Sequence, residues 1–516
     1  MKLTFDVAYE DYEDEQNWIP RLNFLQKEFD KLEIDFFKKC ENDTLLDTME
    51  WVEELMRYYT VKRNYALLEK VMRMQGALLE IGKSRNIQEI GFQYECMIFA
   101  RVNALLYRME DRNRESMNYY RQAIEIGENI TASLRNHHDL RDEQKFYIGW
   151  ACLECLKEAG EVFDLLLAST ESLDCCYRVL NLLDWLENYM SDSFGLLDKT
   201  AELYNTYGGI LFVNGDVKTG QQCFLKSIHL FEQLDEKYDS DFYYARSLWV
   251  KGLYGLQLFF TFQDTSMIQA CEQEINSHRA NHLITERDKA IILAASGIIQ
   301  AQKGIARQEI NLHQAIELTD ASCKKMKEAI DLLEKDQAGH NDYYQSVITA
   351  IIIRIFNCYV GTLDSLGVLL YNIEQFDQAK NTFKNVIELL DNSSDYKMSD
   401  AGAIMIRAES LNYLTLISVN EEDADAAEFY GEQAISMAQN AANYHNNPVI
   451  YSIIIVCGSL LAELYLMQKN REKALKYADI GLQACDILER TSPESPQLSL
   501  RRTLDKFKRK ASRKFF

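Results

Sequence analysis

Apolar residues recur at three- and four-residue spacing along nearly the whole chain, the period of helices that bury one stripe. The polar breaks between these segments are short, so successive segments read as antiparallel helical hairpins. In one stretch, AELYNTYGGILFV (201–213) reads as a helix, NGD as a turn, and KTGQQCFLKSIHLFEQL (218–234) as its partner. Gly208, Gly220 and Ser227 are small there, while Tyr204, Leu211 and Phe224 stay bulky. Helices that cross closely need that contrast, with small side chains at the crossing and large ones filling the grooves beside it.

The arrangement resembles the tetratricopeptide repeat, whose pattern sets a large residue, Leu-Gly and Tyr on its first helix and Ala, Phe and Ala on its second. Those places hold Tyr204, Tyr207-Gly208, Leu211, Gly220, Phe224 and Ser227 in this hairpin. Further along they hold Leu363, Leu366-Gly367, Leu370, Ala379, Phe383 and Val386. Two later copies offer Tyr413-Leu414, Ile417, Ala426, Tyr430 and Ala434, and Leu461-Ala462, Tyr465, Ala474, Ala478 and Gly481. An early copy offers Ala104, Tyr107, Ser116, Tyr120 and Ala123. The last small place recurs at Val386, Ala434 and Gly481, 48 and 47 residues apart by subtraction. The usual period is about 34, so each helix is expected to be a turn or two longer than standard.

The resemblance implies an all-α fold, a right-handed superhelix with a concave face. About nine hairpins are expected, over 43–82, 86–130, 141–190, 196–234, 238–278, 284–335, 341–391, 397–443 and 447–489. The expected organisation is an acidic arm (1–16), N-terminal helices (17–85), one continuous repeat body (86–489) and a basic capping helix or tail (490–516). Composition agrees, because four prolines in 516 residues and no Gly/Ser/Pro-rich stretch leave little room for linkers.

The net charge of −23 repels nucleic-acid phosphates over most of the surface. The start, MKLTFDVAYEDYEDEQNW, lacks the basic and apolar regions of a secretory signal. No uninterrupted apolar run reaches the roughly 18 residues of a membrane span. The nearest, VITAIIIRIFNCYVGTL, is broken by Arg354 and Asn357, so no transmembrane segment and a cytoplasmic location are expected.

No phosphate loop, G-x-S-x-G elbow, H-E-x-x-H or dinucleotide fingerprint is present, and eight histidines fall in no recognisable motif. A non-catalytic protein without a cofactor is expected. Twelve cysteines scattered on apolar faces read as reduced core residues. Cys152, Cys155, Cys175 and Cys176 are the one set whose number suits a zinc site, with buried thiols as the favoured reading. Glu421, Glu422, Asp423 and Asp425 lack the glycine and closing glutamate of a calcium loop and suit a helix start. KLTFDVAYE alternates like a strand and reads as an arm on the first helices or as disorder. RRTLDKFKRKASRKFF reads as a polar-faced capping helix, with anionic membrane or RNA as the lesser alternative.

In tetratricopeptide proteins the first helix of each repeat lines the concave surface. Carried onto the matching copies, the lining positions are Arg101 and Arg108, then Asn205, Gly209 and Phe212, then Asp364, Tyr371 and Asn372. The last copies add Leu411, Thr415 and Ser418, and Ser459, Glu463 and Leu466. Asparagines and rings in such a groove suit an extended peptide. No copy carries the lysine and asparagine of co-chaperones that clamp a C-terminal carboxylate. The long helices are more similar to Gram-positive quorum-sensing peptide receptors, without the DNA-binding domain of some members. The resemblance therefore implies a scaffold or adaptor for another protein or peptide, or else a peptide-responsive sensor that changes pitch on binding. The oligomeric state is left open.

Overall fold

The computed structural model describes residues 15–61, 64–110, 112–136, 140–165, 169–189, 194–238, 240–278, 285–337, 342–392, 401–442 and 448–512. The sequence reading of KLTFDVAYE and most of the acidic arm lies outside these residues. All regular structure among the described residues is helical, and the fold is an all-α run of helical hairpins. Two leading helices, α1 (Glu15–Phe29) and α2 (Ile34–Phe37), precede the hairpins.

Contact density divides the chain into two compact units, residues 1–193 with 341–343, and 194–340 with 344–516. The division falls inside the stretch 86–489 that the sequence reads as one body.

In the first unit the hairpins are α3 (Asn42–Val61) with α4 (Tyr65–Ser84), α5 (Ile90–Met109) with α6 (Asn113–Asn136), and α7 (Asp142–Leu165) with α8 (Ser169–Leu186). Helix α6 packs on α7, and α3 on α5, so each hairpin seats on the next in chain order. Ser116 at one crossing is fully buried and its Oγ donates to the Ala104 carbonyl at 2.8 Å. Tyr120, Ala159, Phe163 and Cys175 close the core behind it.

The second unit begins with α9 (Phe194–Val213) and α10 (Val217–Tyr238), then α11 (Asp241–Phe262) and α12 (Ser266–His278), and α13 (Glu286–Arg307) and α14 (Leu312–Gln337). It continues through α15 (Asp342–Asn372) with α16 (Phe376–Asn392), α17 (Ala401–Asn420) with α18 (Ala424–Ala442), and α19 (Pro448–Met467) with α20 (Arg471–Thr491). First helices also touch first helices along this unit, as α9 does α11, α11 does α13 and α17 does α19, and α15 meets α17 through the Tyr371 and Tyr413 rings.

The small residues sit where the helices cross. A Cβ on Gly208 would lie 3.0 Å from the Phe224 ring, and one on Gly220 would lie 3.0 Å from the Gly208 carbonyl oxygen. Ser227 Oγ donates to the Ala201 carbonyl at 2.7 Å. One copy is shifted by a residue from its sequence alignment, because Ala427 and not Ala426 is fully buried. Gly431 rather than Tyr430 faces the neighbouring helix there, against Leu461.

Helix α21 (Arg501–Ser512) caps the last hairpin, burying Leu504, Phe507 and Ala511. Leu504 packs over Gly481, and Arg501 pairs with Asp486 at 2.6 Å and Lys508 with Asp479 at 2.6 Å. Residues 347–372 and Pro448–Met467 are long and apolar enough to cross a membrane by length and composition. A search for uninterrupted apolar runs passes over them because Ser, Gly and single charges intervene. Much of each helix packs inside the second unit, α19 through Ile450, Ile454, Cys457 and Leu461.

Candidate functional site

Helix α9 carries Asp198, Glu202, Asn205 and Gly209 at spacings of four and three, one stripe of a helix. Above its N-terminal half stands Arg246 of α11, buried to 1% exposure. A guanidinium there cannot lose its charge and must find carboxylates. It does: Arg246 pairs with Asp198 and donates to Glu202 Oε1 at 2.5 Å, while its plane lies 4.4 Å from the Phe231 ring centroid.

A second guanidinium enters from farther away. Arg354 of α15 donates to Glu202 Oε2 at 2.5 Å and to the Thr206 hydroxyl. Hairpins of a solenoid touch their immediate neighbours, yet this contact joins the first helices of hairpins separated by α11–α12 and α13–α14. The row of first helices in this unit therefore bends back far enough for α15 to reach α9. Burial alone would raise the Glu202 carboxyl, but Arg354 and Arg246 outweigh it and hold it down to about 2. The network sets the guanidiniums of Arg246 and Arg354 against the carboxyls of Asp198 and Glu202.

Asn205 lies one turn beyond Glu202. Its side chain is 3% exposed, near enough to Glu202 to favour the ionised carboxyl, yet neither Nδ2 nor Oδ1 makes a hydrogen bond of ordinary geometry. A buried carboxamide left this way costs on the order of 1–3 kcal/mol. One turn farther on, a Cβ at Gly209 would meet nothing within 4 Å, so the surface there is open. On the facing helix Asn357, one turn from Arg354, also carries a buried Oδ1 without a partner. The second unit thus combines a buried ionic frame with two neighbouring carboxamides, Asn205 and Asn357, whose hydrogen-bonding capacity is not fully used.

No family model and no curated protein matches this chain. Solved structures do. The apo form of RapI shares 10% identity over 86% of this chain and 98% of its own, at a TM-score of 0.39. Yeast Tom70 shares 13% over 80% and 95%, at 0.23. A human IFIT1 dimer with PPP-AAAA shares 13% over 86% and 95%, at 0.29. The overlays are loose at such scores and decide nothing about a ligand.

The remaining residues expected along the first helices fall in different surroundings. Arg101, in the first unit, forms a two-pronged pair with Glu158 of α7, its Nε donating at 2.7 Å. Arg108, two turns later, is half-buried. Phe212 is buried between Phe224 and Tyr254, with ring centroids 5.9 and 6.1 Å away, and so packs the core. Thr415 is fully buried and its Oγ1 donates to the Leu411 carbonyl at 2.8 Å. Asp364 is buried and accepts from Ser410 Oγ at 2.6 Å. Burial, opposed by that bond and reinforced by Glu409, pushes the Asp364 carboxyl up to about 7. Tyr371 packs edge-on against Phe376 and Tyr413, whereas Asn372 and Glu463 are exposed.

Sequence reasoning passed over Arg246, Arg354, Asp198 and Glu202. The available signal was Arg354 itself, a lone guanidinium in an apolar helix that demands a buried partner. Cys152, Cys155, Cys175 and Cys176 are all buried thiols, and burial pushes Cys155 and Cys175 up to about 12. Among the described residues no group of three or more His, Cys, Asp or Glu gathers as metal ligands. Asp423 Oδ1 accepts from the Ala426 backbone N–H at 3.1 Å, which is a cap at the start of α18.

Proposed function

We propose that this protein is a non-catalytic scaffold or adaptor that holds a protein or peptide segment along the first-helix row of its second unit. Asn205 carries the reading. Its buried carboxamide leans on Glu202 but makes no hydrogen bond of ordinary geometry, and the pairing it leaves unfilled is the complement of one peptide group in an extended chain. The open surface at Gly209 leaves room for such a chain to pass, and the neighbouring charges are already satisfied, so the contact is made by amides. In this reading Asn372 and Glu463, exposed on their first helices, extend the surface, with half-buried Tyr371 next to Asn372. The absence of any recognisable catalytic motif from the sequence supports a binding role.

Peptide display selected on the full chain tests this. Enriched peptides should bind the natural chain and lose about tenfold or more on Asn205→Ala, the cost of one buried amide pair. Enriched peptides that bind both chains equally would overturn the reading.

A second reading, a peptide-responsive sensor, is favoured by one observation: the Arg354 contact to Glu202 and Thr206, which ties non-adjacent hairpins. A ligand that loosened or tightened this tie would change the pitch of the second unit. Small-angle scattering with a selected peptide separates the readings, since a sensor changes its radius of gyration and a scaffold keeps it.

A further inference from the structure

Helix α21 divides its cations into two sets. Arg501 and Lys508 are engaged with Asp486, Glu489 and Asp479 of α20, and so hold the helix onto the last hairpin. Arg502, Lys506, Arg509 and Lys510 are exposed, and no carboxylate pairs with them among the described residues. They sit at spacings of four, three and one, on the side away from buried Leu504, Phe507 and Ala511. In a chain of net charge −23 such a row is out of keeping with the rest of the sequence. Capping requires only a polar outer face, which uncharged or acidic residues would also provide.

We propose that this face of α21 is a docking surface for an extended, acidic segment of a partner protein. The apolar side of α21 is spent on α20, so it has no face left to insert into lipid, and electrostatic adsorption alone would act against the net charge of the body. Stacking of unpaired RNA bases needs exposed rings, and no large exposed hydrophobic ring lies on α20 or α21 among the described residues. An acidic polypeptide fits on spacing. Carboxylates on alternate residues of an extended segment stand about 6.6 Å apart, close to the roughly 6 Å rise from Arg502 to Lys506. Guanidinium and ammonium groups in that register recognise acidic motifs through charge-assisted hydrogen bonds.

The test uses the full chain and a short fluorescent peptide of alternating glutamate and serine, read by anisotropy at low and moderate salt. The peptide should bind, weaken steeply with salt, and weaken about tenfold or more in the variant Arg502→Ala, Lys506→Ala, Arg509→Ala, Lys510→Ala. That variant should melt with the natural chain, because its substitutions leave the buried face alone. The pair Asn205→Ala and Asn372→Ala should leave this affinity unchanged, which separates the surface from the first-helix row. Equal binding to the quadruple variant would overturn the proposal, as would tighter binding of a uridine oligonucleotide or of phosphatidylserine vesicles in the same buffer.

Discussion

Asp364 shows how one side chain links position, protonation and stability. In the unfolded chain its carboxyl titrates near ~4, whereas in the fold it is pushed up to about 7. Between those values the unfolded chain gives up a proton that the folded chain keeps, so this group makes stability fall as pH rises, and the fall levels off above the folded value. Asp364→Asn keeps an acceptor for Ser410 and removes the titration. Its stability should match the natural chain at about pH 4 and exceed it by about 2–4 kcal/mol at about pH 7.5, measured as urea midpoints at both pH values. A constant difference across that range would mean the carboxyl is ionised in the fold. The sequence marked Asp364 as a groove residue from its place in the repeat, but its burial was not legible there. The same holds for Phe212 and Thr415. Positions were carried over from a repeat of about 34 residues onto hairpins spaced 47 and 48 apart, whose neighbours bury Phe212, Asp364 and Thr415. The surroundings of Asn205, buried beside Glu202 with no hydrogen bond of ordinary geometry, could be seen only in three dimensions.

At the level of the helical pair the sequence was far more legible. Every expected hairpin corresponds to an observed pair, from α3–α4 to α19–α20, because a stripe of apolar residues and a short polar break are local signals. Crossing points were legible for the same reason, since only small side chains fit them. Gly220 and Gly209 test this within one hairpin. A Cβ at Gly220 would meet the backbone of α9, at 3.0 Å from Gly208 O and 3.1 Å from Phe212 N, and backbone cannot swing aside. Gly220→Ala should therefore cost about 1–3 kcal/mol despite alanine's better helix propensity. Gly209→Ala meets nothing within 4 Å and should instead stabilise by up to about 1 kcal/mol. Thermal melts of the two variants give opposite shifts if close crossing, and not glycine flexibility, is what position 220 requires. The tie from α15 to α9 lay beyond this kind of reading, because it joins residues 148 apart and depends on how far the row bends.

For the whole chain, local pattern gave no warning of a division. Hairpin spacing is nearly uniform through it, so the break at residues 193–194 has no signature in period or composition. Energetically it has a consequence. When hairpins draw most of their stability from neighbours, cooperativity extends only as far as the packed interfaces are continuous. Two dense units then unfold as two transitions. The buried network makes them separable: Arg246→Ala leaves Asp198 and Glu202 in the second unit without one guanidinium, at a cost of about 3–5 kcal/mol. Phe163→Ala empties a buried ring site in the first unit at a cost of about 3–5 kcal/mol. In urea titrations followed by far-ultraviolet circular dichroism, each variant should move one transition and leave the other's midpoint in place. If both variants shift a single transition by similar amounts, the chain folds as one cooperative body, and the ionic frame around Glu202 then supports every hairpin, including those that lie far from it in sequence.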